Sequence, residues 1–394
     1  MIGWRQLSEF FMRHFGEEPE LSCCAPGRIN LIGEHIDYAG GAVLPLSISP
    51  GVSVAVRSLP AGGLSLVTDV LGEPQVHKLD RATAADGPAA YVLELARLTE
   101  TASAQIAILS DLPVGQGLSS SAATGIAVQG ALLALKPDAV LPSARAVCRA
   151  AQRAEHLALG TSCGLMDQYA SMFGLEDSAL LIDTWKESHT EVPLSGLAGL
   201  EIVVVDSGQP RQLAASEYNR RHAEMVGALN EARRLSGGFD CFRERPPEEL
   251  LAIAETMPDP ARRRIRHLLS EQRRVHDFVA ALQAADQPAM GRLLRESHAS
   301  LRDDAAVSTT QIDILVELLD GLPGCLGARL MGGGFGGSLL ALFTAPVDNA
   351  ALDDLLRDYA AACTLQAGWL SVAPGPGAWL SGAGNGRRSL AEWL

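Results

Sequence analysis

The stretch from Pro113 to Gly125, Pro-Val-Gly-Gln-Gly-Leu-Ser-Ser-Ser-Ala-Ala-Thr-Gly, constrains the fold more than any other part of the chain. It follows an apolar, strand-like run, Ile106-Ala107-Ile108-Leu109, and leads into a helix-favouring run from Ala122 to Leu135. Gly115 and Gly117 let the backbone turn tightly and come close to a ligand. Strand, glycine loop and helix N-terminus in that order make an anion site, because free N–H groups and the positive end of the helix dipole converge on one spot. The hydroxyls of Ser119, Ser120 and Ser121 add donors and a possible magnesium ligand. The plain alternative is a helix capped by Ser119 after a glycine turn. A Walker A loop is excluded: it needs a lysine after the second glycine, and the only lysines are Lys78, Lys136 and Lys186.

A chain of 394 residues is too long for one ordinary core and predicts two domains. Acidic side chains number 46 against 32 basic ones, a net charge of −14. That balance argues against nucleic acid and anionic membrane surfaces as partners, and it requires any phosphate site to be locally positive. Trp4, Leu7, Phe10, Phe11 and Phe15 recur at helical spacing, so the N-terminus reads as an amphipathic helix and not as a signal peptide. No apolar run reaches the ~18 residues of a membrane span. The 7 cysteines are scattered without a C-x-x-C pair, so free thiols and a cytoplasmic location are expected, and a zinc site is not.

Between Ala25 and Ile48 an apolar segment is interrupted by Arg28, Asn30, Glu34, His35 and Asp37, with glycines on either side. A buried surface does not normally hold five such groups. They could form a salt-bridge cluster; carboxylates and an imidazole in a glycine-framed loop also suit the hydroxyls of a sugar. A metal reading for His35 and Asp37 lacks further ligands at the usual spacing. Ser143 to Leu159 reads as an amphipathic helix carrying Glu155, and Cys163-Gly164-Leu165-Met166-Asp167-Gln168 follows. Asp167 could be a poised carboxylate or the cap of the helix that begins there.

Strands are expected at Val52–Val56, Leu64–Val67, Leu180–Asp183, Leu200–Val205, Leu339–Phe343 and Trp369–Val372. Helices are expected over Gln209–Leu235 and Asn349–Thr364, and Pro193–Gly199 reads as a linker. The arginines between Ala261 and Ala285 suit a solvated helix face. Gly332, Gly334 and Gly337 formally satisfy G-x-G-x-x-G, but a strand-like run follows them where a dinucleotide fold needs a helix. Gly375 to Gly386 reads as a loose tail.

The phosphate-loop stretch resembles that of the GHMP small-molecule kinases, whose pattern is Pro-x-Gly-x-Gly-Leu-Ser-Ser-Ser-Ala. Gly27-Arg28-Ile29-Asn30-Leu31-Ile32-Gly33-Glu34-His35-Ile36-Asp37-Tyr38 is similar to the galactokinase signature, with departures at Ile36 and Ala39. Cys163 to Gln168 resembles that family's catalytic segment, and Glu217-Tyr218-Asn219 its sugar-contacting tyrosine. Without the resemblance Tyr218 could equally be a helix-surface aromatic. Pro88-Ala89-Ala90-Tyr91 departs from the family's Trp-x-x-Tyr, which lines the adenine pocket.

The resemblance implies a mixed α/β and α+β architecture. A ribosomal protein S5 domain 2-like domain would span residues 1–195 and a ferredoxin-like domain residues 196–394, with the site between them. It implies transfer of the ATP γ-phosphoryl group to the anomeric hydroxyl of galactose, with ATP and Mg2+ bound. Asp167 and Arg28 would be catalytic, and Glu34, His35, Asp37, Gly164, Asp167 and Tyr218 would bind the sugar. Gly115, Gln116, Gly117, Leu118, Ser119, Ser120, Ser121 and Ala122 would cradle the triphosphate, and Ser121 and Glu155 would hold the metal. The partners expected are galactose and ATP, with no nucleic acid and no membrane, for a monomer or weak dimer. A kinase for N-acetylgalactosamine, arabinose or mevalonate, and a non-catalytic galactose and ATP sensor, are the alternatives.

Overall fold

The computed structural model describes residues 1–70, 73–79, 87–113, 115–136, 138–209, 214–382 and 386–394. Val114 of the glycine loop, residues 210–213 at the start of the expected Gln209 helix, and residues 383–385 of the expected tail lie outside them.

A sheet of seven strands takes five from the first half of the chain and two from its C-terminal end, in the spatial order 388–389, 379–382, 21–30, 45–58, 104–110, 64–68 and 77–79. Every pairing is antiparallel except that of Leu64–Thr68 with Ala104–Ser110. Alternation along the strands fills both faces. Ile106 and Ile108 join Leu46, Val54 and Val56 in the main core. Ala107 and Leu109 point the other way, under Leu7, Phe10 and Phe11 of the helix Trp4–Phe15. Leu7 and Phe11 there are wholly buried, and each contributes about 1.5–3 kcal/mol by leaving water. The helix Ser120–Ala134 packs across strands Leu21–Asn30 and Pro45–Ser58, so the glycine loop ends directly over the strand that carries Arg28.

The second half is built on a four-stranded antiparallel sheet in the order 325–330, 338–344, 200–206 and 368–372. Its faces also alternate. Val203, Val205, Leu339 and Ala341 enter a separate cluster with the helices Thr310–Asp320 and Asn349–Cys363. Ile202, Val204, Leu340 and Leu342 enter the main core. That main core runs continuously from the first sheet to the helices Ala261–Gln283 and Gln287–Asp303. Among the described residues, no helix is long and apolar enough to cross a membrane.

Three expectations change. The loose tail is instead structured: Trp379–Gly382 pairs with Leu21–Cys24, and Leu390 beyond it is wholly buried. Trp379 gains its burial from a partner strand far away in sequence, which no local pattern encodes. The linker from Pro193 follows a strand, Ser188–Pro193, and turns as a short 3₁₀ segment, Leu194–Leu197. Helices at Pro88–Leu98 and Thr310–Asp320 add to those expected.

Candidate active site

The glycine loop delivers the chain to the helix Ser120–Ala134 through three residues of positive φ, Gly115 at 78°, Gly117 at 68° and Ser119 at 60°. Ser119 does not cap the helix, so the plain reading of that residue fails. Its backbone is left-handed, and its hydroxyl donates instead to Oδ2 of Asp167. The first intrahelical bond runs from Ala123 N–H to Ser119 O at 3.0 Å. Helix geometry therefore leaves the N–H groups of Ser120, Ser121 and Ala122 without an intrahelical acceptor, aimed where an anion would sit. From the other half of the chain, Ser338 Oγ donates to Gln116 O at 2.5 Å and ties the loop to the hairpin between the strands 325–330 and 338–344.

Arg28 and Asp167 meet at the mouth of this loop. Arg28 Nε donates to Asp167 Oδ1 at 2.7 Å and Nη2 to Oδ2 at 2.9 Å, a two-pronged pair. The third prong, Nη1, donates to Gly117 O at 2.7 Å. Arg28 is 4% exposed. Burial works against its charge, but the negative charges of Asp167 and Glu34 outweigh that and raise its pKa. Asp167 lies in the first turn of the helix Met166–Phe173, whose N-cap is Leu165, so it is not the cap either. Its side chain keeps 23% exposure toward the cavity.

The sugar-signature residues close the far end. Glu34 Oε1 accepts the Gly332 N–H at 2.8 Å. His35 has φ of 60°, and both its ring nitrogens are engaged: Nδ1 with Tyr38 Oη at 2.9 Å and Nε2 with Gly333 O at 3.2 Å. Burial, with His267 nearby, lowers its pKa to about 3, so the ring is neutral. Nε2 then carries the proton, since a carbonyl can only accept. Tyr218 packs 5.3 Å from that ring, centroid to centroid. Gly333 makes room for it: a Cβ there would lie 3.0 Å from Tyr218 Cδ2. Gly164 is needed for a similar reason, because its Cβ would fall 1.9 Å from Asp37 Oδ2. Burial first, then Asp167, pushes Asp37 up to about 7.

Glu155, on the helix Ala144–Leu159, faces the first turn of the helix Ser120–Ala134. Its Oε1 accepts from Ser121 Oγ at 2.7 Å and its Oε2 from Gln168 Nε2 at 3.0 Å. The hydroxyl and the carboxylate are hard oxygen donors, which fits magnesium. Among the described residues no group of three or more His, Cys, Asp or Glu could hold a metal.

Burial pushes Glu155 from 4.5 up to about 7, with Asp167 adding to the rise against the bonds from Ser121 and Gln168. A carboxyl raised in the folded state contributes stability that is complete below its unfolded pKa and is lost as pH rises through about 7. Glu155→Gln removes that loss. Without metal, the variant is expected to melt higher than the parent at about pH 8 and no higher at about pH 5. Added magnesium and nucleotide should stabilise the parent at about pH 8 and the variant much less. Thermal melts at the two pH values check both, and equal parent and variant curves at the higher pH would contradict the assignment.

One cavity of about 360 Å³ gathers Arg28, Glu34, His35, Asp37, Glu155, Gly164, Asp167 and Tyr218 with Gly115, Gln116, Gly117, Leu118, Ser119, Ser120 and Ser121. Ala122 is wholly buried and does not line it, because the third residue of the helix turns its methyl inward. Only its N–H could reach a phosphate. The two departures from the sugar signature are also core positions: Ile36 is wholly buried, Ala39 nearly so, and neither lines the cavity. Tyr91 is buried between helices, its hydroxyl 3.5 Å from Ala151 O, and does not line this cavity.

Sequence reasoning missed several supporting groups. Asn219 holds the loop before Gly164, accepting from Ser162 N–H at 3.0 Å and donating to Gly160 O at 2.8 Å. Gln168 fixes Glu155, and Arg329 pairs with Glu34. Asn219 and Gln168 stood inside stretches already singled out. Arg329 offered a signal too, as the single charge in the apolar run before Met331.

This fold and cavity define a GHMP kinase. The GHMP kinases N terminal domain matches residues 88–175, and the GHMP kinases C terminal domain matches residues 278–361. The galactokinase galactose-binding signature matches residues 9–58. The chain is 38% identical to a galactokinase of Roseiflexus sp. (strain RS-1), over 92% of each chain. It is 39% identical to the Homo sapiens galactokinase, over 90% of this chain and 91% of that one. The structure of Lactococcus lactis galactokinase complexed with galactose superposes with a TM-score of 0.86 at 29% identity, covering 95% of this chain and 98% of that one. The chain belongs to the galactokinase family.

Proposed function

We propose that the protein is an ATP-dependent galactokinase that transfers the γ-phosphoryl group to the anomeric hydroxyl of galactose, giving galactose 1-phosphate. The observation that carries this reading is the Arg28–Asp167 pair, set between the glycine loop on one side and Glu34, His35 and Asp37 on the other. Phosphoryl transfer asks the protein mainly for positioning and charge stabilisation. The N–H groups of Ser120 and Ser121 and the helix dipole would receive the triphosphate. Asp167 would orient the anomeric hydroxyl and take its proton. Arg28, already bonded to Asp167 and to Gly117 O, would stabilise charge on the moving group. Ser121 and Glu155 would hold magnesium, which when bound neutralises phosphate charge. Glu34 and Asp37 would accept from sugar hydroxyls, while His35 and Tyr218 present ring surface to its C–H face. Seven unpaired cysteines suit a reducing compartment, and we place the activity in the cytoplasm.

A coupled ADP-release assay across a sugar panel tests the reading. Galactose is expected to exceed glucose by ~10²-fold or more in kcat/KM, because a site that pairs a hydroxyl penalises its epimer. Equal turnover of the two would overturn the specificity. Faster turnover of N-acetylgalactosamine or arabinose would redirect it to another sugar. Binding of galactose and ATP without turnover would make the protein a sensor.

A further inference from the structure

Glu34 is held from behind by groups of the second half of the chain. Its Oε1, besides accepting from Gly332 N–H, lies 3.3 Å from Nη2 of Arg329. Arg329 is 0% exposed. Its other bonds go to backbone: Nε to Leu31 O at 2.9 Å, Nη1 to Leu330 O at 2.8 Å, and Nη2 to Asn30 O. One guanidinium therefore ties the end of the strand Cys325–Leu330 to the end of the strand Leu21–Asn30 and to the carboxylate just beyond it.

The same turn has two further holds. Glu271, also 0% exposed, accepts the Gly33 N–H at 3.0 Å and Ser297 Oγ at 2.7 Å, and it pairs with Arg274 at 2.7 Å. His267 Nε2 lies 2.9 Å from Glu34 O, while its Nδ1 faces Ser300 Oγ. Neither Arg329, Glu271 nor His267 lines the cavity. Burying two acids and two bases costs more than packing apolar residues of similar volume would. Plain stability therefore does not account for them. What they give is a fixed geometry: the N–H of Gly33, the carbonyl of Glu34 and one of its carboxylate oxygens each have an assigned partner, leaving Oε2 for a ligand.

We propose that Arg329 and His267 together position Glu34 for sugar recognition, Arg329 through Oε1 of Glu34 and the carbonyls of Asn30 and Leu31, His267 through the Glu34 carbonyl. This rests on the reading that the cavity takes a sugar beside Glu34. Buried ionic groups used this way set orientation, as the supporting shell of any precise site must.

Arg329→Lys tests it, because lysine keeps the charge but lacks the planar fork that reaches several acceptors together. Calorimetry with galactose and, separately, ATP is expected to show galactose binding weakened about tenfold and ATP binding unchanged. His267→Phe, which removes the donor to Glu34 O, should give the same selective loss, and it serves if the lysine variant does not fold. Leu293→Ala, a core truncation on the helix Gln287–Asp303, provides a destabilised control expected to bind galactose normally. The proposal is overturned if a folded Arg329→Lys or His267→Phe variant binds galactose like the parent. It is also overturned if galactose and ATP weaken together, or if Leu293→Ala weakens galactose equally. Parental galactose binding is read in the same experiment, so a parent that binds no galactose refutes the sugar reading, whereas a normal parent with unaffected variants refutes only the positioning role of Arg329 and His267.

Discussion

Asp167→Asn is expected to lower turnover by ~10²–10⁴ while ATP binding stays near the parental level. The carboxylate accepts three donors, two from Arg28 and one from Ser119. An amide has one oxygen. If its nitrogen takes the place of Oδ2, it faces Nη2 of Arg28, donor against donor. Ser119 can adapt, since a hydroxyl also accepts. One prong of the Arg28 pair is lost, and with it the negative charge that would receive the sugar's proton. Arg28 is buried and keeps its bonds to Oδ1 and to Gly117 O, but it loses its charged partner, so the variant should also melt lower than the parent. Circular dichroism establishes folding, calorimetry the ATP affinity, and a coupled assay the rate. Parental turnover in a folded Asp167→Asn variant would remove this residue from the chemistry.

The parts of this site that could be read from sequence are those in which one short segment carries its own chemistry. The glycine loop announces an anion site because strand, glycines and helix lie in immediate succession, and the structure keeps them so. Glu34, His35 and Asp37 stand out because polar groups interrupt an apolar run. Arg28 and Asp167 are different. They lie 139 residues apart, and composition alone gave no reason to join them; a family resemblance did. Ser119 shows how a local rule is overridden. Serine before a helix usually caps it, yet here an Asp from another helix takes the hydroxyl and the backbone adopts a left-handed turn. The strand Trp379–Gly382 was unreadable for a related reason. It is short, and its partner at Ser22 is 359 residues away. Register of that kind is a property of the assembled sheet.

The electrostatics meet the demand set by an acidic protein that has to receive a triphosphate. The cavity contains a cation, Arg28, wedged between carboxylates, and a helix N-terminus whose N–H groups carry partial positive charge. Two of the carboxyls, Asp37 and Glu155, are pushed up to about 7 by burial, with Asp167 adding to both. Near neutral pH each is therefore partly protonated before a ligand binds, and a bound metal or hydrogen-bonding sugar favours the ionised form. Ligand binding should accordingly release protons.

Gly117→Val is expected to abolish ATP binding, lowering affinity about 100-fold or more, the equivalent of losing two charge-assisted hydrogen bonds at about 1.5–3 kcal/mol each. Gly117 has φ of 68°, where a β-branched residue is strongly disfavoured. Relief of that strain requires the peptide to rotate. Its carbonyl holds Nη1 of Arg28 at 2.7 Å, and the neighbouring Leu118 carbonyl accepts the Arg28 N–H at 3.1 Å. Rotation would thus move the loop away from the phosphates and release one prong of Arg28. Gly115→Val is the comparison. Its φ of 78° makes it strained as well and a Cβ there meets nothing within 4 Å, but the Arg28 guanidinium bonds Gly117 and Asp167 and not Gly115, so it carries the strain without the coupling to Arg28. If strain alone mattered, the two variants would lose ATP affinity to a similar degree. If the loop cradles a triphosphate, Gly117→Val should lose far more, while galactose binding changes little in either. Calorimetry with both ligands decides this, and a folded Gly117→Val variant that binds ATP normally would reduce the loop to a helix entry.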